Sequence, residues 1–208
     1  MKITVVGAAG MAGSRIVAEA RRRGHHVTAV LPGPRPDTLP PEVTDVRGDA
    51  TDVELMTKLF DDADAVVGAT RPAPGAEHTV TAVTAALLDA SAAAKTRILF
   101  IGGSAPLLAP GGGLVFDAPE YVPPAWRTIA AASIAQLAAC RPHTADWTYV
   151  SPAALFEPGV RTGQYRRGGT SLVVAPDGTS RISAEDLAVA VLDELEQPAE
   201  ERHFSVGY

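Results

Sequence analysis

Gly7, Gly10 and Gly13 stand three residues apart in Gly7-Ala8-Ala9-Gly10-Met11-Ala12-Gly13, between a β-branched run and a periodic helical stretch. Gly7 lets the chain turn sharply, Gly10 leaves room for an anion beside the backbone, and Gly13 lets the following helix lie close to the sheet. A helix entered in this way turns free N–H groups and its positive end toward a pyrophosphate. The chemistry implied is the binding of a dinucleotide. The G-x-x-G-x-x-G spacing differs from G-x-G-x-x-G, but the physical requirements are shared.

The choice between NAD and NADP turns on the end of the second strand, where an acidic residue would hold a ribose 2′-hydroxyl. Val30-Leu31-Pro32-Gly33-Pro34-Arg35 contains no acid. Arg35 is the nearest cation and either pairs with a 2′-phosphate or stays solvated in its loop; the balance favours NADP over NAD. Asp49 either accepts from an adenine amino group or caps the helix that follows.

Proton-transfer chemistry is harder to find. A tyrosine whose acidity is raised by a lysine four residues on would serve carbonyl reduction. The residues four beyond Tyr121, Tyr149 and Tyr165 are Ala125, Ala153 and Gly169, and no lysine follows Lys95. His78 is the one histidine placed to be tested as a proton donor. His143 and His203 have no metal-ligand partners at useful spacing, so no metal is expected. An acceptor that disperses charge over its own rings, such as a flavin or a quinone, needs little help from a protein acid. Phe116, Tyr121, Trp126, Phe156 and Tyr165 are candidate stacking residues for such an acceptor, or else core. Arg161, Arg166 and Arg167 either attract an FMN phosphate or are solvated.

Strands at 3–6, 26–31, 43–47, 65–68 and 97–101 alternate with helices at about 11–23, 52–60 and 76–94. Short apolar runs separated by helices are the pattern of parallel strands buried on both faces. The expected fold is α/β: a Rossmann-like, doubly wound, mostly parallel sheet with flanking helices. Beyond Gly102 a Gly/Pro-rich stretch, 103–124, precedes a helix (125–140) and a strand (147–150). A second long loop, 151–170, leads to an expected strand at 171–174, a helix opened by Ser183 and a last strand at 204–206. The two long loops are expected to form the acceptor cleft.

With 208 residues, 46% hydrophobic and 20% charged, the chain suits a single domain, 1–208. A net charge of −6 argues against a nucleic-acid partner. Met1-Lys2 runs straight into a strand and no run of about 18 apolar residues exists, so a cytoplasmic protein without membrane contact is expected. Lone Cys140 excludes an internal disulfide and is expected to be buried. A small-molecule acceptor and a monomer or homodimer complete the expectation.

The chain as a whole resembles the NmrA-like, NAD(P)H-binding atypical short-chain dehydrogenase/reductases, in particular their small bacterial NADH–flavin reductase group. The resemblance rests on Met1 through Val17, Gly48-Asp49-Ala50-Thr51-Asp52, Ala63 to Val67 and Ile101-Gly102-Gly103. It is strongest over Asp146 to Phe156 and continues through Gly159 to Tyr165 and Ser180 to Ala188. It implies a seven- or eight-stranded sheet and a short carboxyl-terminal substrate region. It also implies Gly7, Ala9, Met11 and Ala12 at the pyrophosphate, Asp49 and Ala50 at the adenine, and Ala69 and Thr70 near the ribose. Gly102, Gly103 and Ser104 would lie near the nicotinamide with Pro152 and Ala153. Ser104, His78 and Tyr121 are then the candidate catalytic residues. Two departures stand out: Pro32 where many relatives carry an arginine, and Ser104-Ala105-Pro106 where they tend to have Ala-Gly-Ser. The reading is an NAD(P)H-dependent reductase of a flavin, quinone or similar acceptor. The alternatives are a non-catalytic redox sensor and a tailoring isomerase or dehydratase.

Overall fold

The computed structural model describes all 208 residues. The chain runs β1 (Lys2–Val6), α1 (Met11–Arg22), β2 (His26–Leu31), β3 (Thr44–Arg47), α2 (Val53–Asp61), β4 (Ala65–Gly68), α3 (Val80–Ala94) and β5 (Ile98–Ile101). It continues through α4 (Arg127–Cys140), β6 (Trp147–Pro152), β7 (Leu155–Glu157), β8 (Arg166–Arg167), β9 (Arg181–Ser183), α5 (Ala184–Glu196) and β10 (His203–Gly207). Eight strands form one sheet in the order β3-β2-β1-β4-β5-β6-β10-β8, parallel except for β8 against β10. The order reverses between β1 and β4, and a ligand crevice belongs at that switch point, outside the strand carboxyl ends.

Alternate strand residues supply two cores. Ile3, Val5, Ala29, Leu31 and Val67 face α1 and α5; Val6, Val30, Val66, Ile98 and Phe100 face α2, α3 and α4. Helix ends follow local chemistry. Gly24, at φ 82°, closes α1: its N–H reaches Arg21 O while that of His25 reaches Ala20 O, a Schellman motif. Asp52 accepts from Leu55 N–H at 3.0 Å and caps α2. Ser183 caps α5 by accepting from Asp186 N–H. Asp186 does not complete a capping box, because Ser183 N–H donates to the Tyr208 hydroxyl instead. No helix is long and apolar enough to cross a membrane.

One expectation needs correction. Residues 171–174 are not a strand; they are held by a single bridge between Leu108 and Ser171 and by Leu172 N–H on Leu108 O. Residues 151–208 are continuous with the rest of the fold: β10 lies inside the sheet and α5 packs on α1. The two long loops are packed together at one side. Leu107, Val115, Val122 and Leu172 bury a small core that joins them, with Tyr121 packed against it.

Candidate active site

At the switch point Gly7 takes φ 85°, and a Cβ there would lie 2.6 Å from Ala69 O. A Cβ on Gly13 would lie 2.2 Å from Gly7 O, inside any tolerable contact. Gly10 differs: its Cβ would meet nothing nearer than Gly7 O at 3.3 Å, and it is exposed. Gly7 and Gly13 are therefore required by the protein's own backbone, whereas the bare face of Gly10 opens outward. Around it the N–H groups of Ala9, Met11, Ala12 and Gly13 find no acceptor in the protein, and the first turn of α1 holds no acidic residue. Four unpaired donors at a helix start with no opposing carboxylate suit a pyrophosphate. The residues present fit a dinucleotide.

At the expected adenosine end, Arg35 is engaged within its own loop. Arg35 is neither solvated nor free: Nη1 donates to Val43 O and to Asp45 at 2.5 Å, and Nη2 to Pro40 O. Its loop chemistry absorbs the guanidinium. The cation without a partner at this corner is Arg47, exposed at the end of β3 and in register with Leu31 of β2. Asp49 does not cap α2. It accepts from Thr51 N–H and hydroxyl, at 2.9 and 2.8 Å, which holds its carboxyl below the usual range. It stays exposed and ionised beside half-buried Ala50.

Ala69, buried after β4, donates its N–H to Val6 O, and Thr70 follows half-buried. Gly102 and Gly103 end β5 against a wedge that sequence reasoning passed over as plain strand. A Cβ on Gly102 would fall 2.0 Å from Tyr149 Cζ, and one on Gly103 would fall 2.9 Å from Ser133 Oγ. The Tyr149 hydroxyl donates toward Ser133 O and Gln136 Oε1, and burial pushes its pKa far above the ordinary phenol range. Tyr149 is thus a packing element and no proton donor. Pro152 and Ala153 are buried at the end of β6, where Val206 and Gly207 lie alongside.

The catalytic candidates are not assembled into a relay. His78 is exposed in a 3-10 turn before α3, Ser104 is half-buried after β5, and Tyr121 leans on the loop core. None of the three side chains hydrogen-bonds to another group of the protein. Of the stacking candidates, Phe156 and Tyr165 pack on the α1/α5 core, Tyr165 donating to Asp193. Phe116 and Trp126 remain at the strand ends, Phe116 tied to Ala105 O through its N–H. The three arginines read as either phosphate-attracting or solvated are engaged within the protein. Arg161 pairs with buried Glu19, Arg167 with buried Glu194, and Arg166 with the carbonyls of Val174 and Tyr208. A hollow of about 470 Å³ lies between the joined loops, lined by Leu108, Arg166 and Leu172 among others, but it shares no residue with the glycine turn or with Gly102 to Ser104. Cys140 is buried, its thiol pushed up to about 12 by burial.

The profile of the NAD(P)H-binding family matches residues 7–198. The uncharacterized protein YwnB of Bacillus subtilis is 38% identical over 204 residues, covering 95% of this chain and 93% of that one. A Streptococcus pneumoniae structure provisionally named an NADH-flavin reductase is 29% identical, with a TM-score of 0.89 over 100% of this chain and 99% of that one. A Bacteroides thetaiotaomicron structure provisionally named an epimerase is 33% identical, with a TM-score of 0.90 over 100% and 96%.

Proposed function

This chain belongs to the NAD(P)H-binding family, and from that premise we propose that it is an NAD(P)H-dependent oxidoreductase passing hydride to a flavin, quinone or similar conjugated acceptor. The observation that carries the reading is a pair of opposites at one strand edge. Unpaired helix N–H groups suit a dinucleotide, while no side chain at the ends of β5 and β6 is prepared to deliver a proton. The similarity to the Streptococcus pneumoniae protein supports a reductase; the name of the Bacteroides relative points to epimerase chemistry, which a site without a Tyr/Lys pair serves poorly.

When bound, the dinucleotide supplies a hydride at its nicotinamide. The chain's part is to hold and to shape. The donors of Ala9, Met11, Ala12 and Gly13 would anchor the pyrophosphate, Asp49 and Ala50 would flank the adenine, and Ala69 and Thr70 would flank the ribose. Arg47, free where Arg35 is not, would pair with a 2′-phosphate and favour NADPH. Gly102, Gly103, Pro152 and Ala153 would leave a flat, apolar floor beside the nicotinamide. An acceptor ring laid over that floor gains rate by positioning, the term that a site without acid or base can provide. Ser104 would hydrogen-bond such a ring without transferring a proton. A cytoplasmic location, where reduced dinucleotide is plentiful, belongs to the same reading.

Oxidation of NADPH and NADH, followed at the nicotinamide absorbance with riboflavin, FMN and 1,4-benzoquinone, tests it. Turnover with at least one acceptor is expected. Cofactor binding by calorimetry without turnover on any of them would replace the reductase by a sensor of the dinucleotide redox state.

A further inference from the structure

Two arginine–aromatic pairs follow β4 and β5, linked through the adjacent residues Trp126 and Arg127; Phe116 is half-buried and the other three are exposed. Arg71, two residues past Ala69, lies over the Trp126 ring at 5.9 Å, and Arg127 lies over the Phe116 ring at 4.1 Å. Chain connections link both to the nicotinamide floor of the proposed reading. Phe116 N–H donates to Ala105 O, one residue beyond Ser104, and Arg127 Nη1 donates to Phe116 O. Trp126 is 54% exposed, unusual for so large an apolar ring.

The charges are as telling as the rings. Several other arginines are matched by acids: Glu19 takes Arg22, Arg23 and Arg161, and Glu194 takes Arg97 and Arg167. Arg71 and Arg127 form no ion pair. Asp117 and Glu120 lie nearby in sequence, yet neither comes within salt-bridge distance of them. In a chain of net charge −6, two unmatched guanidiniums on the rim of one crevice make a local positive mouth. Each is held over an aromatic face and so is partly pre-ordered.

We infer that this rim selects the acceptor: a planar conjugated molecule bearing an anionic group, its ring against Trp126 and Phe116 and its phosphate or carboxylate between Arg71 and Arg127. The inference rests on the reductase reading and narrows it to anionic acceptors. Guanidinium recognition of phosphate or carboxylate is bidentate and directional, so ring and charge are read together. The arginines act at a distance from the hydride and leave the chemical step to positioning.

FMN and riboflavin share one ring and differ by the phosphate, which makes them the probes. Flavin fluorescence quenching is titrated on the full chain saturated with NADP⁺. FMN is expected to bind at least tenfold more tightly than riboflavin. Arg71→Gln and Arg127→Gln are each expected to lower FMN affinity several-fold while leaving riboflavin unchanged, with Arg127→Lys restoring part of the preference. Trp126→Ala is expected to weaken both flavins. Equal binding of the two flavins, no binding of either, or arginine variants that retain the full preference would overturn the inference. The reductase reading is judged separately by NADPH oxidation with 1,4-benzoquinone, a neutral acceptor that does not call on the rim.

Discussion

Gly102 and Tyr149 cannot both carry a full complement of side-chain atoms: a methyl at Gly102 would sit 2.0 Å from the Tyr149 ring and 2.2 Å from its hydroxyl. The strand-end turn at β5 is shaped by this ring, which is buried and held by Ser133 and Gln136. Gly102→Ala is expected to push the turn into the crevice and weaken NADPH binding at least tenfold. Tyr149→Phe keeps the wedge and loses the hydroxyl's hydrogen bonds, so it should lower stability by about 1–2 kcal/mol with NADPH affinity nearly intact. Calorimetric titration and urea melts of the two variants separate shape from hydrogen bonding.

The three glycines of the first turn should divide under substitution. Gly13→Ala places a methyl 2.2 Å from Gly7 O, so the expected effect is overpacking that costs about 1–3 kcal/mol without any ligand. Gly10→Ala meets only a mild 3.3 Å approach and should melt within a few degrees of the parent. Its loss should appear on adding NADPH, as a smaller ligand-induced rise in Tm. A Gly10→Ala variant with full ligand stabilisation would remove the pyrophosphate from this turn.

Arg47 and Arg35 offer a second division. Arg47→Gln is expected to raise the KM for NADPH about tenfold, near 1.4 kcal/mol, while the KM for NADH stays put. Arg35→Gln breaks contacts to Val43, Pro40 and Asp45 and should loosen its loop, lowering stability without changing the NADPH-to-NADH ratio. Steady-state kinetics with both cofactors distinguishes the two roles.

His203 predicts an acid sensitivity. Burial first, and Arg141 second, push its pKa down to about 4 from 6.5, while Nε2 lies 3.0 Å from the Ser151 hydroxyl and the ring stands edge-on to Tyr149 at 5.4 Å. Between pH 6.5 and 4 the unfolded chain therefore binds more protons than the native one, so stability is full above pH 6.5 and falls as the pH drops toward 4. Because the ring keeps partial solvent contact, the loss at pH 5 should stay near 1 kcal/mol. Melts at pH 7 and pH 5 should show it, and His203→Gln should flatten the difference.

The elements that carry the crevice are legible in the chain because each is announced locally. β1, the glycine turn and α1 are set by residues within twenty positions of one another. The strands β7, β8 and β9 are not announced; two or three residues long, they exist only through partners far away, as Arg166 pairs with Gly207. Ser171 to Val174 has the composition of a strand, yet Leu172 and Val173 serve the loop packing. Charge is the least readable property. Arg161 looks free until Glu19, 142 residues earlier, is found beneath it, while Arg71 and Arg127 look ordinary until their lack of acids is seen.

The joining of the two long loops has a dynamic consequence. Leu107 and Leu172 share one small core, and Leu108 exchanges backbone bonds with the other loop through Thr170 O and Leu172 N–H. Neither loop can peel away without breaking the other's contacts, so they open as one cooperative unit. Amides at Leu108, Val115 and Leu172 should then exchange with solvent at a common rate, although 64 residues part the first from the last. Ser104 sits at the near edge of that unit, so a cavity made at Leu172 would be transmitted to the mouth of the crevice as a change in how often it stands open.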